Sequence, residues 1–290
     1  MPIEPTVFPV DLHMHSTASD GTDSPAVLLE NVRAAGIRTF SVTDHDTIDG
    51  ALTMEALVPA DMTYVRGVEV SCYTEVEKCH ILGYAYDPDC PAFQEVLEEG
   101  HRRRRAKFDQ RVAWLASEHG IVLTKAEIED LLAIGSVGKP HLGNLLARKG
   151  YAADKNEAIT KFINPCPVTQ DRVEAGFAIR GILAAGGIPV WAHPYGGTDE
   201  KEIPEDDFRR QLQLLLSEGI RGLECWYSHY PEEKVESLLA AAREHHLLVS
   251  GGSDYHGKNK PVWLGKLNGF GRVVPPEELT VLEALTARRA

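Results

Sequence analysis

Two short spacings, His13-x-His15 near one end of the chain and Asp254-x-His256 near the other, pair imidazoles and a carboxylate closely enough to serve one ion. Between them stand Asp20, Asp44-His45, Glu69, His80 and His193, each at or beside a β-type run. Imidazole nitrogen and carboxylate oxygen, without cysteine, form a ligand set for Mn²⁺, Zn²⁺ or Fe²⁺ rather than for a thiolate zinc or a calcium site. So many donors can hold more than one ion. Such a cluster polarises a phosphoryl group and lowers the pKa of a bound water toward about 7, which makes a phosphomonoester or phosphodiester its natural electrophile. Covalent acyl chemistry has no visible nucleophile, because there is no G-x-S-x-G elbow and no evident Cys–His pairing. Any one of these histidines, alone, reads as an ordinary core or surface residue; the recurrence of the set carries the chemistry.

The elements that must position them alternate. TVFPVDLHMHS reads as a strand running into a histidine-rich end. SPAVLLENVRAAG is a helix with Ser24 as cap and Pro25 as first residue, closed by Gly36, and RTFSVTDHD is a second strand, so the unit is βαβ and the sheet parallel. ALTMEAL is a further helix, and MTYVRGVEVSC and KCHILGYAY are neighbouring strands. From residue 92 helical periodicity takes over through HRRRRAKFDQRVAWLASEHG, KAEIEDLLAIG, KPHLGNLLARKG and KNEAITKFI. After Asn164-Pro165-Cys166-Pro167 the βα rhythm resumes in IPVWAHP, RGLECWYS and LLVSGGSDYH with helices between, and PPEELTVLEALTARR closes as a helix. The expectation is an α/β fold, a barrel with an open doubly wound sheet as alternative, with strand tips converging on one face. Residues 1–91 and 168–290 form the barrel domain and 92–167 a helical insertion capping the substrate.

Composition narrows the partners. The chain of 290 residues carries 30 Lys and Arg against 43 Asp and Glu, a formal charge of −13, which argues against coating a long nucleic acid. Five cysteines with no CxxC pair suit reduced thiols, and no run of about 18 apolar residues spans a membrane, so a soluble cytoplasmic protein with no membrane partner and no obligate protein partner is expected. Within the insertion, Arg102 and Arg105 share a helix face, and Lys139 and His141 open a helix whose N-terminus favours anions; the plain alternative for an arginine run is a solvated face. Tyr195, Trp226 and Tyr227 near strand tips are candidates for base stacking, with rim packing as the commoner fate.

The ordered motifs DLHMHSTASDGT, SVTDHDT, GVE, His80 in CHILGY, AHP and GSDYH resemble the metal motifs of the polymerase-and-histidinol-phosphatase (PHP) superfamily of phosphoesterases. The resemblance implies a distorted (β/α)7 TIM-like barrel with the helical insertion and a manganese-type cluster of up to three ions, with Zn²⁺, Fe²⁺ or Mg²⁺ as alternatives. It implies one ion on His13, His15, Glu69 and Asp254, a second on Glu69, His80 and His193, and a third on Asp20, His45 and His256. Asp254, His256 and His193 are the expected catalytic residues, and Arg102, Arg105, Lys139 and His141 the expected substrate contacts. The insertion is similar to that of the branch holding nucleoside 3′,5′-bisphosphate phosphatases and short-oligoribonucleotide 5′→3′ exonucleases. It implies removal of the 3′-phosphate from a small nucleotide by a metal-bound hydroxide, with exonucleolysis of short oligonucleotides or histidinol-phosphate hydrolysis as alternatives.

Overall fold

The structure is a computed structural model that describes residues 9–169, 172–198 and 201–287. Thr6 to Phe8 of the expected first strand, Gln170-Asp171 ahead of a later helix, and Arg288 to Ala290 lie outside the described residues. In chain order, β1 (Val10–Asp11), α1 (Pro25–Ala34), β2 (Thr39–Phe40), α2 (Asp49–Leu57) and β3 (Thr63–Tyr64) make two βαβ steps. They build a short all-parallel sheet in the order β1-β2-β3. The Ser24 side chain accepts from the Val27 N–H at the start of α1, and Gly36 just beyond its end has φ +75°.

The hairpin β4 (Gly67–Tyr73) and β5 (Lys78–Tyr84) follows, and then the helices α3 (Pro91–His119), α4 (Lys125–Leu132), α5 (Lys139–Arg148) and α6 (Lys155–Ala158). KNEAITKFI, read as one helix, instead leaves α6 through a π-turn at Ile159–Ile163. The chain returns through β6 (Val173–Glu174), α7 (Ala175–Ala184), β7 (Ile188–Ala192), α8 (Glu205–Glu218), β8 (Gly222–Tyr227), α9 (Glu232–Glu244), β9 (Leu248–Gly252) and α10 (Val281–Ala287). This last helix is shorter than expected. A 3-10 turn occupies Pro276–Glu278, and the Thr280 side chain leaves the helical path to accept from the Val249 N–H at 2.9 Å.

The larger sheet has the order β6-β4-β5-β7-β8-β9, and β5 runs against both neighbours, which breaks the expected regular βα repeat. That reversal matters for the site. His80, near the start of β5, lies across from Ser71 on one side and Ala192 on the other, so an N-terminal half-strand reaches the end where β7 delivers His193. Glu69 likewise sits inside β4 and not at a strand tip. The two sheets are joined along two seams: Leu12 N–H to Gly251 O at 3.2 Å, Asp254 N–H to His13 O at 2.8 Å and His15 N–H to Tyr255 O at 2.8 Å on one side, and Glu69 N–H to Asp44 O at 3.2 Å and Asp46 N–H to Glu69 O at 2.9 Å on the other. Gly252 is required at the first seam, because a Cβ there would lie 2.2 Å from the His13 Cβ.

Strands β7 and β8 are buried along their whole length, the pattern of central strands covered on both faces. Helix α3 spans two cores. Its first turns, with Phe93, Val96 and Leu97, belong to the main core, while Phe108 and Leu115 join a separate cluster with Ile121, Leu142, Leu146 and Phe162. The helical segment therefore has its own apolar centre, and that centre begins well inside α3 rather than at residue 92.

Candidate metal centre

Short loops hold the donors because buried carboxylates take up their backbone. Asp11 accepts from Ser253 N–H at 2.9 Å, Ser253 Oγ at 2.6 Å and Gly265 N–H at 2.8 Å, which ties β1 to the loop carrying Asp254. Asp44 accepts from Ser16 N–H, Ser16 Oγ and Ser19 Oγ at 2.6–2.8 Å, and so braces the His15 loop instead of joining the cluster. Three residues here sit in the left-handed region: Asp46 at φ +54°, His193 at +29° and Asp254 at +58°. For non-glycine residues this is strain, and the surrounding bonds must sustain it.

Glu69 is the hub. Its Oε1 lies 3.1 Å from His80 Nδ1 and 3.1 Å from His193 Nε2. Its Oε2 lies 3.3, 3.2 and 3.1 Å from His13 Nε2, His15 Nε2 and His45 Nδ1. Asp254 Oδ1 approaches the same His13 and His15 nitrogens at 3.6 and 3.4 Å, and Asp20 Oδ1 lies 3.2 Å from His256 Nε2 and 3.9 Å from His45 Nε2. The structure thus brings together all nine expected ligands. Eight of them place donor atoms in overlapping groups with internal distances within 4.8 Å: His15, Asp20, His45 and His256; His13, His15 and Asp254; His45, Glu69 and His80; His193 meets Glu69 but falls in none of the groups. His15 and His45 each belong to two groups, so the division is less clean than the motif resemblance implies.

Six buried atoms at this centre, His13 Nε2, His15 Nε2, Asp20 Oδ1, His45 Nδ1, Glu69 Oε2 and His256 Nε2, make no hydrogen bond. Buried polar atoms are ordinarily satisfied, so a set of orphans aimed at one point fits a cation cluster. The donor set is imidazole and carboxylate throughout.

Charge at the centre follows burial against neighbours. Burial would raise the Glu69 carboxyl, yet His45, His13 and His80 hold it well below the usual range. Burial likewise opposes Asp254, which Lys260, His256 and His13 keep ionised, and Asp20, which His256 and His45 keep ionised. Asp254 therefore stands as a carboxylate without a proton to give. Burial pushes His45 and His256 down, whereas in His13 it is outweighed by Glu224, Glu69 and Asp254, and in His15 by Asp254 and Glu69, which raise it to about 9.

Above the centre a cavity of about 480 Å³ opens between the sheet and the helical segment. Besides the donors, Arg104, Lys107, Arg111, Lys139, Lys155, Arg172 and Lys260 line it. Arg104 is neutralised by Asp46, to which its Nε donates at 2.9 Å, and also donates to Ser71 Oγ at 3.0 Å. Gly100 eases this approach, since a Cβ there would press at 3.2 Å on the Asp46 Cβ. Lys260 donates to Asp254 Oδ2 at 2.7 Å.

Two expected contacts are corrected in phase. Arg102 and Arg105 have side chains 70% and 55% exposed, pair with Glu99 and Asp109, and do not line this cavity. The inward face of α3 is set by Phe93, Val96, Gly100, Arg104, Phe108 and Arg111, which turns Arg102 and Arg105 outward. Lys139 does line the cavity, but His141 turns back to accept from Gly138 N–H at 2.9 Å. The stacking candidates are also occupied: Tyr195 bonds Ser237, Trp226 is fully buried, and Tyr227 donates to Asp254 at 2.8 Å. His229 bonds Thr198 and Ser228 and stays outside the cluster. Sequence reading assigned no role to Glu224, Arg111, Lys155, Arg172 or Lys260; Arg111 alone left a signal, at i+7 from Arg104 along the buried face.

Comparison with known proteins gives a consistent set. Residues 11–164 match the PHP domain family. The chain is 30% identical to a phosphoribosyl 1,2-cyclic phosphate 1,2-diphosphodiesterase of Eggerthella lenta over 86% of this chain and 94% of that one. It is 30% identical to a 5′-3′ exoribonuclease of Haemophilus influenzae over 91% and 96%, and 25% identical to a 3′,5′-nucleoside bisphosphate phosphatase of Chromobacterium violaceum over 96% and 97%. A solved Bifidobacterium adolescentis protein, described as a metal-dependent phosphoesterase, superposes with a TM-score of 0.81 at 27% identity, covering 98% of this chain and 97% of the other.

Proposed function

Because this chain belongs to the PHP domain family and is a metal-dependent phosphoesterase, we propose that its substrate is a small nucleotide bearing two phosphoryl groups, a nucleoside 3′,5′-bisphosphate, which loses the 3′-phosphate. One observation carries this: cations from the helical segment and from the connections around the sheet line a single cavity with the metal centre in a molecule whose net charge is −13. With one phosphoryl group at the centre, a second anion in the same cavity falls among Lys107, Arg111, Lys139, Lys155 and Arg172. A local basic pocket in an acidic molecule suits a compact anion better than a long polymer. Two relatives are named for pentoses with two phosphoryl groups, beside others named 5′-3′ exoribonuclease.

When bound, the ions supply Lewis-acid polarisation of the phosphoryl group and activation of water. The protein supplies the frame. Ionised Glu69, Asp20 and Asp254 offset the cationic charge, with Glu69 presenting one oxygen to each side of the cluster. Lys260, held charged beside Asp254 although burial opposes it, adds a fixed positive edge at the cavity wall.

A second reading, cleavage of short oligonucleotides, is favoured by one further feature. A neighbouring cavity of about 500 Å³ shares Lys107, Arg111, Lys139, Asn164, Arg172 and His193 with the first, leaving room for a nucleotide beyond the scissile phosphate. The test is phosphate release by Mn²⁺-loaded protein from adenosine 3′,5′-bisphosphate, beside 3′-AMP, 5′-AMP, a ribosyl cyclic phosphate and a 5′-phosphorylated dinucleotide. The proposal requires the bisphosphate to lead and to yield 5′-AMP. A lead for the dinucleotide transfers the assignment to the second reading, and a lead for 3′-AMP removes the role of the second anion.

A further inference from the structure

We propose that Glu224 is a positioning residue that fixes the spacing between the two sides of the metal cluster, an inference that rests on reading the cluster as a metal centre. Glu224 is wholly buried on β8 and is none of the nine expected ligands. Its two oxygens are divided. Oε1 accepts from His13 Nδ1 at 2.9 Å, and Oε2 accepts from the backbone N–H of His193 at 2.8 Å. These two histidines address opposite oxygens of Glu69, His13 at Oε2 and His193 at Oε1. One carboxylate therefore spans the cluster from within, and a second spans the same pair of histidines from behind.

Each bond does a separate job. A carboxylate can only accept, so the His13 ring must carry its proton on Nδ1 when neutral, which leaves the Nε2 lone pair directed at the centre. Nε2 is one of the buried atoms without a hydrogen bond. The bond to His193 N–H holds a backbone at φ +29°, a conformation that a non-glycine residue keeps only when its surroundings impose it.

The strand is built for this. Glu224 and Tyr227 are three residues apart and would face opposite sides of a regular strand, but the pairing of β8 with β9 shifts register between Glu224 and Trp226. A bulge of this kind re-aims side chains. Glu224 consequently serves His13 and His193 while Tyr227, on the same strand, donates to Asp254.

Glu224→Gln separates the jobs, because a glutamine has one accepting oxygen and must present an NH₂ group to the other donor. Mn²⁺ titration of metal-stripped wild type and Glu224→Gln, with apo thermal unfolding as the fold control, is expected to show binding weakened about 10- to 100-fold, the usual cost of losing an outer-shell partner. Equal affinity in the folded variant overturns the proposal while the metal reading stands. Wild type that binds no Mn²⁺ overturns both. Should the variant fail to fold, ¹⁵N shifts of the His13 ring in Zn²⁺-loaded wild type decide: Nδ1–H with Nε2 on the metal supports the role, and the reverse tautomer refutes it.

Discussion

The floor and the wall of the active cavity are made in different ways. The floor consists of short, buried imidazoles and carboxylates delivered by strand ends, their loops and, for Glu69, the interior of β4, and fixed by further buried groups such as Asp11, Asp44 and Glu224. The wall consists of long lysines and arginines, most of them from helices and several anchored at their tips, as Lys139 is by Asn164 and Lys155 by the Asn259 carbonyl. On the floor the backbone sets the geometry, so each donor is irreplaceable; on the wall, reach sets it, and neighbours can share a load. The difference teaches where damage should be total and where it should depend on the substrate.

The sharpest way to break the comparison is at the hub. Glu69→Ala is expected to abolish turnover of every substrate, by a factor of about 10³ or more, and to lower the bound Mn²⁺ measured by elemental analysis. A variant that keeps both metal and activity would make the floor as forgiving as the wall.

Arg104 belongs to the wall by lineage and to the floor by behaviour. Arg104→Met leaves the buried Asp46 carboxylate without its charged partner, keeping only the Ser71 N–H at 2.7 Å, and should cost about 3 kcal/mol in stability, read as a lower urea midpoint. Unchanged stability would mean that Asp46 does not depend on α3.

Arg111→Ala should lower kcat/KM for the bisphosphate by about tenfold, in line with the loss of one charged hydrogen-bonding group, while hydrolysis of p-nitrophenyl phosphate changes little. Equal losses on both substrates would move Arg111 from the second anion to the reacting one.

A smaller effect concerns His141, which burial holds below its ordinary value. A histidine depressed in the folded state binds its proton more readily when unfolded, so stability is expected to decline as pH falls from the ordinary value near 6.5 toward the lowered one. His141→Asn should flatten that part of the stability profile relative to wild type. Parallel profiles would remove His141 from the account.

At the bottom of the scale, Arg102→Ala and Arg105→Ala are expected to leave kcat/KM within about threefold of wild type, since exposed ion pairs contribute little. A tenfold loss in either would restore them to the wall.

The two regions were also unequally legible in the sequence. Donors on the floor announce themselves, because His13-x-His15 and Asp254-x-His256 combine a rare residue type with a fixed spacing at the ends of β-type runs. Their convergence follows from parallel topology, even though β5 reverses and brings His80 in from a strand's other end. The wall left a weaker signal. Four successive arginines on a helix cannot all face inward, and the rotation of α3 is set by Phe93, Val96, Gly100 and Phe108, whose packing partners lie far along the chain. Glu224 left none, since one acidic residue in an apolar strand reveals neither its partners nor the bulge that turns it.

The seam just beyond the ends of β1 and β9, where Asp254 N–H meets His13 O at 2.8 Å, joins positions separated by almost the whole chain. Contacts of such long range form late, after the intervening segments have closed their own loops. During synthesis, which runs from the N-terminus, a nascent chain that has exposed His13, His15, His45 and Glu69 still lacks Asp254 and His256. Completion of the centre is thereby deferred until the residues after the last strand have emerged, although His45, Glu69 and His80 alone already form one of its donor groups.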